Sequence, residues 1–229
     1  MNGGHRQQGF TLTELAIVLA IIAFMLGGLL GPLGAQRETQ RRQDNRELLE
    51  LAREALIGFA ITNKRLPCPD LTTPERLATG LETLSCQSGG NAFYVGRLPW
   101  VTLDIDADTD PWGEPHYIRY AVNGAYTNAF DLNTVSTAGG ELRIFDSAPG
   151  AAVCAGTAGN VADDVPAIVW STAENITGST LEQENLDGDR CFTLRDYQIT
   201  GGANDFDDQM IWLSPNVLFN RLVSAGVLP

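Results

Sequence analysis

Histidine is nearly missing from this chain: two occur in 229 residues, and His116 is the one beyond the first nine. No nucleophile elbow, P-loop or helix with metal-ligand spacing is present, and no cysteines have the CxxC spacing. The sequence therefore gives little support to hydrolytic, phosphoryl-transfer or zinc chemistry. His116 stands at the edge of an expected strand, where a lone histidine is more often structural than catalytic. Positive charge is also scarce. Beyond residue 66 there are seven bases against twenty-two acids, and the whole chain carries a net charge of −13. Such a surface repels nucleic acid and favours cations or basic partners, although most of these acids need be no more than a solvated, self-repelling surface. There is no internal repeat.

What the chain does have is a run of nineteen uncharged residues, Leu15 to Leu33, with Glu14 at its mouth. At about 1.5 Å per helical residue the run reaches about 28 Å, close to the roughly 30 Å of a bilayer core. A charge near the middle of a bilayer helix costs about 2.5–3.5 kcal/mol, so a carboxylate here needs a partner. An ordinary signal peptide would have a shorter apolar region with a small-residue cleavage site after it. This run leads instead into helix-forming sequence, which leaves a simple anchor as the bland alternative. Gly27 and Gly31 have the GxxxG spacing and Pro32 removes a helical hydrogen bond; both fit either plain punctuation or a bend on packing. Arg37, Arg41, Arg42 and Arg46 follow the run, and the positive-inside tendency would keep that side in the cytoplasm. Four cysteines favour the opposite orientation, with the C-terminal part exported.

The stretch Gly9-Phe10-Thr11-Leu12-Thr13-Glu14 and the apolar residues after it resemble the N-terminus of type IV pilin and type II secretion pseudopilin precursors. The resemblance implies that residues 1–9 are a leader, removed by a prepilin peptidase between Gly9 and Phe10, and that Phe10 is then N-methylated. It implies that Glu14, fifth from the new terminus, meets the Phe10 amino group of a neighbouring subunit during assembly. The implied partners are the peptidase, other pilin or pseudopilin subunits, an inner-membrane assembly platform and membrane lipid. The implied location is the inner membrane, single-pass with a periplasmic head, and then a filament. Leu98-Pro99-Trp100 and Arg65-Leu66-Pro67-Cys68-Pro69 suit the same group. Asp110-Pro111-Trp112-Gly113 resembles the DPWG element of the major pseudopilin, and is read as a structural turn with Trp112 in the core. The implied function is a structural subunit of a type IV pilus or a type II secretion pseudopilus. Alternatives are a minor pilin with a binding head at a filament tip, or a membrane-anchored periplasmic enzyme.

The expected fold class is α+β and type IV pilin-like: a long membrane-spanning helix over 10–63 packed on an antiparallel sheet, with a head over 64–229 and a short C-terminal helix. Leu48, Ala52, Ala55 and Phe59 recur at helical spacing and mark the face toward the sheet. The helix should end near Asn63, because Pro67 follows. Strands are expected at Tyr117–Val122, Leu142–Phe145, Ala167–Ser171, Cys191–Ile199 and Gln209–Leu213. Ala151–Gly159 and Ser179–Asp189 read as surface loops. Ser214, Pro215 and Gly226 frame the last helix, with Leu218, Leu222 and Ala225 on one side.

Four cysteines allow three pairings; Cys68–Cys86 with Cys154–Cys191 closes the shortest loops and is favoured. Calcium is the one cofactor the acids suggest. Asp104, Asp106, Asp108 and Asp110 alternate along one stretch, but Thr109 and Pro115 stand where an EF-hand needs Gly and Glu. The second group is Asp205, Asp207 and Asp208 before Trp212. The major pseudopilin has a calcium loop there, and Glu174 and Asn175 resemble its facing loop. Asp208 fits the pattern and Phe206 breaks it.

Overall fold

The computed structural model describes residues 11–86, 92–129, 131, 142–146, 159–176, 178–202 and 204–228, except the side chains of 26–33 and 35. Gly9, Phe10 and Cys154 lie outside these residues. The chain divides into two compact units, Met1–Arg41 and Arg42–Pro229.

Helix α1 runs Leu12–Asn63 and contributes to both units. In the first unit every described side chain from 11 to 25 is exposed, with Phe24 at 89%. Among the described residues no helix is long and apolar enough to cross a membrane. The second half of the expected span, 26–33, lies outside the described side chains.

In the second unit α1 buries Asn45, Leu49, Ala52, Leu56 and Ala60, spaced four, three, four and four. That period follows the 3.6-residue turn. The expected stripe is rotated from it: Leu48, Ala55 and Phe59 are half-buried and the flanking Leu51 is exposed. Two adjacent apolar stripes share Ala52, and each has a second alanine, Ala55 or Ala60, so composition does not choose between them. The helix stops as expected. Lys64 takes a left-handed φ of 55° and its N–H donates to the Ala60 carbonyl at 2.9 Å.

The strands are β1 (Phe93–Arg97), β2 (Arg119–Asn123), β3 (Arg143–Phe145), β4 (Asn160–Ala162), β5 (Ala167–Ser171), β6 (Cys191–Thr193) and β7 (Gln209–Leu213). Helix α2 (Thr180–Glu184) precedes β6, and α3 (Pro215–Ser224) follows β7. The main sheet is antiparallel in the order β1-β2-β5-β7. A second, mixed sheet has the order β4-β3-β6, with β3 and β6 parallel. The expected architecture had one antiparallel sheet. The long connection from β3 to β6 permits the parallel pairing, which a hairpin could not.

Strand alternation divides the core between two layers. Tyr120, Val122 and Val169 point toward the α1 cluster. Ala121, Ile168 and Trp170 point toward Leu142, Ile144 and Phe192 of the second sheet. The main sheet is thus covered on both faces, which is why every residue of β5 is buried.

β5 and β7 match their expected bounds, and β2 and β3 start one or two residues late. β6 ends at Thr193, and the Asn185 amide holds that residue: Thr193 N–H donates to Asn185 Oδ1 at 2.7 Å, and Asn185 Nδ2 donates to the Thr193 carbonyl at 3.0 Å. Ser179–Asp189 is not simply a surface loop. It holds α2, with Leu181, Glu182, Glu184 and Asn185 buried. In α3, Leu218 and Leu222 are buried but Ala225 is exposed, and Ser214 precedes the helix without a side-chain cap bond.

Segment 64–86 is tied by the Cys68–Cys86 disulfide. Beside it Arg65 donates twice to Glu82, at 2.7 Å each, and Cys68 N–H donates to the same carboxylate at 3.1 Å. Cys191 is also disulfide-bonded; its expected partner, Cys154, lies outside the described residues.

Candidate functional site

At the start of α1, Thr11 and Glu14 form a reciprocal cap. Glu14 N–H donates to Thr11 Oγ1 at 3.3 Å, and Thr11 N–H donates to Glu14 Oε2 at 3.2 Å. This is the capping-box arrangement, with Thr at the cap and Glu three residues on. Thr11 Oγ1 also donates to Glu14 Oε2 at 3.1 Å. The one acid at the mouth of the apolar run is therefore held at the helix N-terminus, where the helix dipole favours negative charge.

The second candidate is a metal centre in the head. α2, β7 and the turn before β7 bring Glu182, Asp207 and Asp208 together, all buried. One carboxylate oxygen from each lies within 4.8 Å of the others. Two oxygens bound to one calcium ion at about 2.4 Å can be at most about 4.8 Å apart, so the spacing fits. Asp207 Oδ1 and Asp208 Oδ1 are buried and accept no hydrogen bond. Their other neighbours set the geometry: Asn185 Nδ2 donates to Asp208 Oδ2 at 2.7 Å, and Asp207 N–H donates to Glu182 Oε1 at 2.6 Å. Ser179 N–H donates to Glu182 Oε2 at 2.6 Å. Gly178 leaves the space for this carboxylate, since a Cβ there would sit 1.5 Å from Glu182 Oε2.

The three acids crowd one another. Burial, then the hydrogen bond and charge of Glu182, push Asp207 up to about 7, against the pull of Arg42 and the Asn175 N–H. Burial pushes Asp208 well above the carboxylate range, with Glu182 and Asp207 adding to it and the Asn185 hydrogen bond opposing. A hard cation in the centre would reverse this balance, and an all-oxygen donor set suits calcium.

Of the residues expected at a calcium site, Asp207 and Asp208 meet and Asp205 does not. Asp205 accepts from Thr200 N–H, Thr200 Oγ1 and Gly201 N–H at 2.8–2.9 Å, and these bonds hold it below the usual range. Its place is taken by Glu182, twenty-five residues upstream of Asp207, which the sequence did not mark out. The motif Ser179-x-x-Glu182 was the available signal, but it signals a helix cap rather than a ligand. Asn175 does face the group through its backbone. A further trio, Glu184, Asp189 and Cys191, lies close together, but the Cys191 sulfur is in a disulfide and offers no thiolate.

Asp110-Pro111-Trp112-Gly113 forms the expected turn. The Asp110 carboxylate accepts from Trp112 N–H at 2.9 Å and from the buried Ser171 hydroxyl, and Gly113 has φ +78°. Trp112 is half-buried rather than a core anchor. Asp104 and Asp106 are exposed, Asp108 pairs with the buried Arg97, and Asp110 is buried, so the alternating acids do not converge.

The fold places a long N-terminal helix, capped by its only acid near the mouth, before an α+β head with a buried acidic centre. Residues 4–30 match the family model described as the prokaryotic N-terminal methylation motif, the prepilin-type signature. No curated protein and no solved structure matches the chain. The motif points to a structural, pilin-like protein.

Proposed function

We propose that this chain is the precursor of a structural subunit, assembled into a type IV pilus or a type II secretion pseudopilus. A prepilin peptidase cuts between Gly9 and Phe10, and Phe10 is N-methylated. The exposed apolar part of α1 anchors the mature chain in the inner membrane, with the head in the periplasm, until the assembly platform draws it into a filament. The observation that carries this reading is the methylation motif over residues 4–30. It is supported by the continuous exposure of residues 11–25, since a large exposed apolar surface marks a membrane or protein contact. In the filament core Glu14 faces the amino group of a neighbour's Phe10, where opposite charges attract far more strongly than in water. Glu182, Asp207 and Asp208 hold one calcium ion that orders the segments around 175–185 and 205–209.

Mass spectrometry of the protein purified from cells with and without prepilin peptidase tests the reading. The expected N-terminus is a methylated Phe10 with the enzyme and Met1 without it, and Gly9→Trp should remain uncut in both. A filament-forming protein that still begins at Met1 would overturn it.

A further inference from the structure

The head carries two surfaces of opposite charge. Beside β7, at one edge, lies a cleft of about 370 Å³ between α1 and the chain after β6. Arg42, Arg46, Arg53 and Arg195 line it, in a chain with a net charge of −13. Arg53 is matched by Glu50 at 2.6 Å. Arg42 lies flat over the Tyr197 ring, 3.4 Å from its centre. Among the described residues Arg46 and Arg195 have no ion-pair or hydrogen-bond partner, and the lining acids that could answer them are Asp196 and the inward-turned Asp208.

Where β1 ends, the chain enters the loop Val101–Asp108, which returns to the start of β2: Ile118 N–H donates to the Asp108 carbonyl at 3.4 Å. The loop is fixed from below: Leu103 and Ala107 are buried, and Arg97 at the end of β1 donates to the Asp108 carbonyl at 2.7 Å. Asp104, in left-handed backbone at φ 55°, and Asp106 are exposed. Neither carboxylate has a partner among the described residues.

We propose that the Asp104–Asp106 tip of one subunit enters the Arg46–Arg195 cleft of the next. This rests on the filament reading above and names the surfaces that meet. The occupant is a second copy because the complementary charge is on this chain, on a loop held rigidly by Leu103, Ala107 and Arg97. Such a contact is heterologous, so it repeats into an open assembly instead of closing as a dimer. A basic cleft meeting an acidic tip steers encounter and fixes register.

The test uses the full chain, expressed with its own peptidase and assembly machinery. Asp104→Cys and Arg195→Cys together, treated with a short bis-maleimide, should give a ladder of multimers; either substitution alone should not. Among the described residues no native cysteine is free to interfere. Arg46→Glu with Arg195→Glu should lower incorporation into sheared filaments by at least about tenfold, and adding Asp104→Arg with Asp106→Arg to the same chain should restore it. Filaments of protein starting at Phe10 that give no ladder and no rescue would overturn this contact and leave the filament reading intact. Adducts solely with lipid or another protein would also overturn it. Protein starting at Met1 without filaments would overturn both.

Discussion

At the residue scale, the proposed assembly makes its sharpest demand on Glu14. In the precursor its carboxylate is engaged by Thr11. Under the proposed processing, cleavage before Phe10 places a new positive charge one residue from that cap, and the acid then has a choice between its own chain and a neighbour's terminus. Replacing Glu14 with Leu removes the choice. Cleavage at Gly9–Phe10 should proceed normally, while the mature protein in sheared filaments should fall at least about tenfold, read by immunoblot of filament and membrane fractions. Glu14 stood out in the sequence as a single acid beside nineteen uncharged residues, but its cap with Thr11 was not read there. Glu182 was not legible. It becomes a member of the acidic centre by virtue of α2, a helix of five residues, and of a glycine that leaves room for its carboxylate. No periodicity announces either.

At the scale of elements, the segment joining α1 to β1 is held by one covalent link and one paired carboxylate. Burial alone would raise Glu82, yet its hydrogen bonds from Arg65 and Cys68 hold it below the usual range. The Cys68–Cys86 loop spans 18 residues. Cys86→Ala should lower the unfolding free energy of the oxidised protein by about 3 kcal/mol, measured by urea denaturation, since a loop of this size removes that much chain entropy from the unfolded state. The longer elements could be read directly. β5 and β7 are runs of apolar and β-branched residues, and α1 has a Pro beyond its end and a strong apolar stripe. β1 and β4 were missed for different reasons. β1 carries Gly96, whose absent Cβ lets the Asp70 carbonyl come close, and β4 is three residues long. The face of α1 was misjudged by one stripe because two stripes of similar apolarity overlap at Ala52.

At the scale of the whole molecule, stability of the head should depend on pH and calcium together. Asp207 is raised to about 7 in the folded chain, from about 4 when unfolded. Between these values the folded state holds a proton that the unfolded state has lost. The resulting stability is fully present below about pH 4 and lost as pH rises through 7. In chelator, the melting temperature should therefore drop on the order of 5 °C from pH 5 to pH 8. With calcium the drop should shrink or vanish, because the ion takes the proton's place between the carboxylates. Calorimetry at the two pH values, with and without calcium, reads the difference; identical curves in calcium and chelator would remove the ion from the account.

A polymer built by joining the arginine cleft of one subunit to the acidic loop of the next has two unlike ends. One end always displays an empty arginine cleft and the other an unanswered pair of aspartates. Growth is then directional by chemistry alone, and nothing in the repeating contact sets a final length. The length of such a polymer is governed from outside the repeating contact.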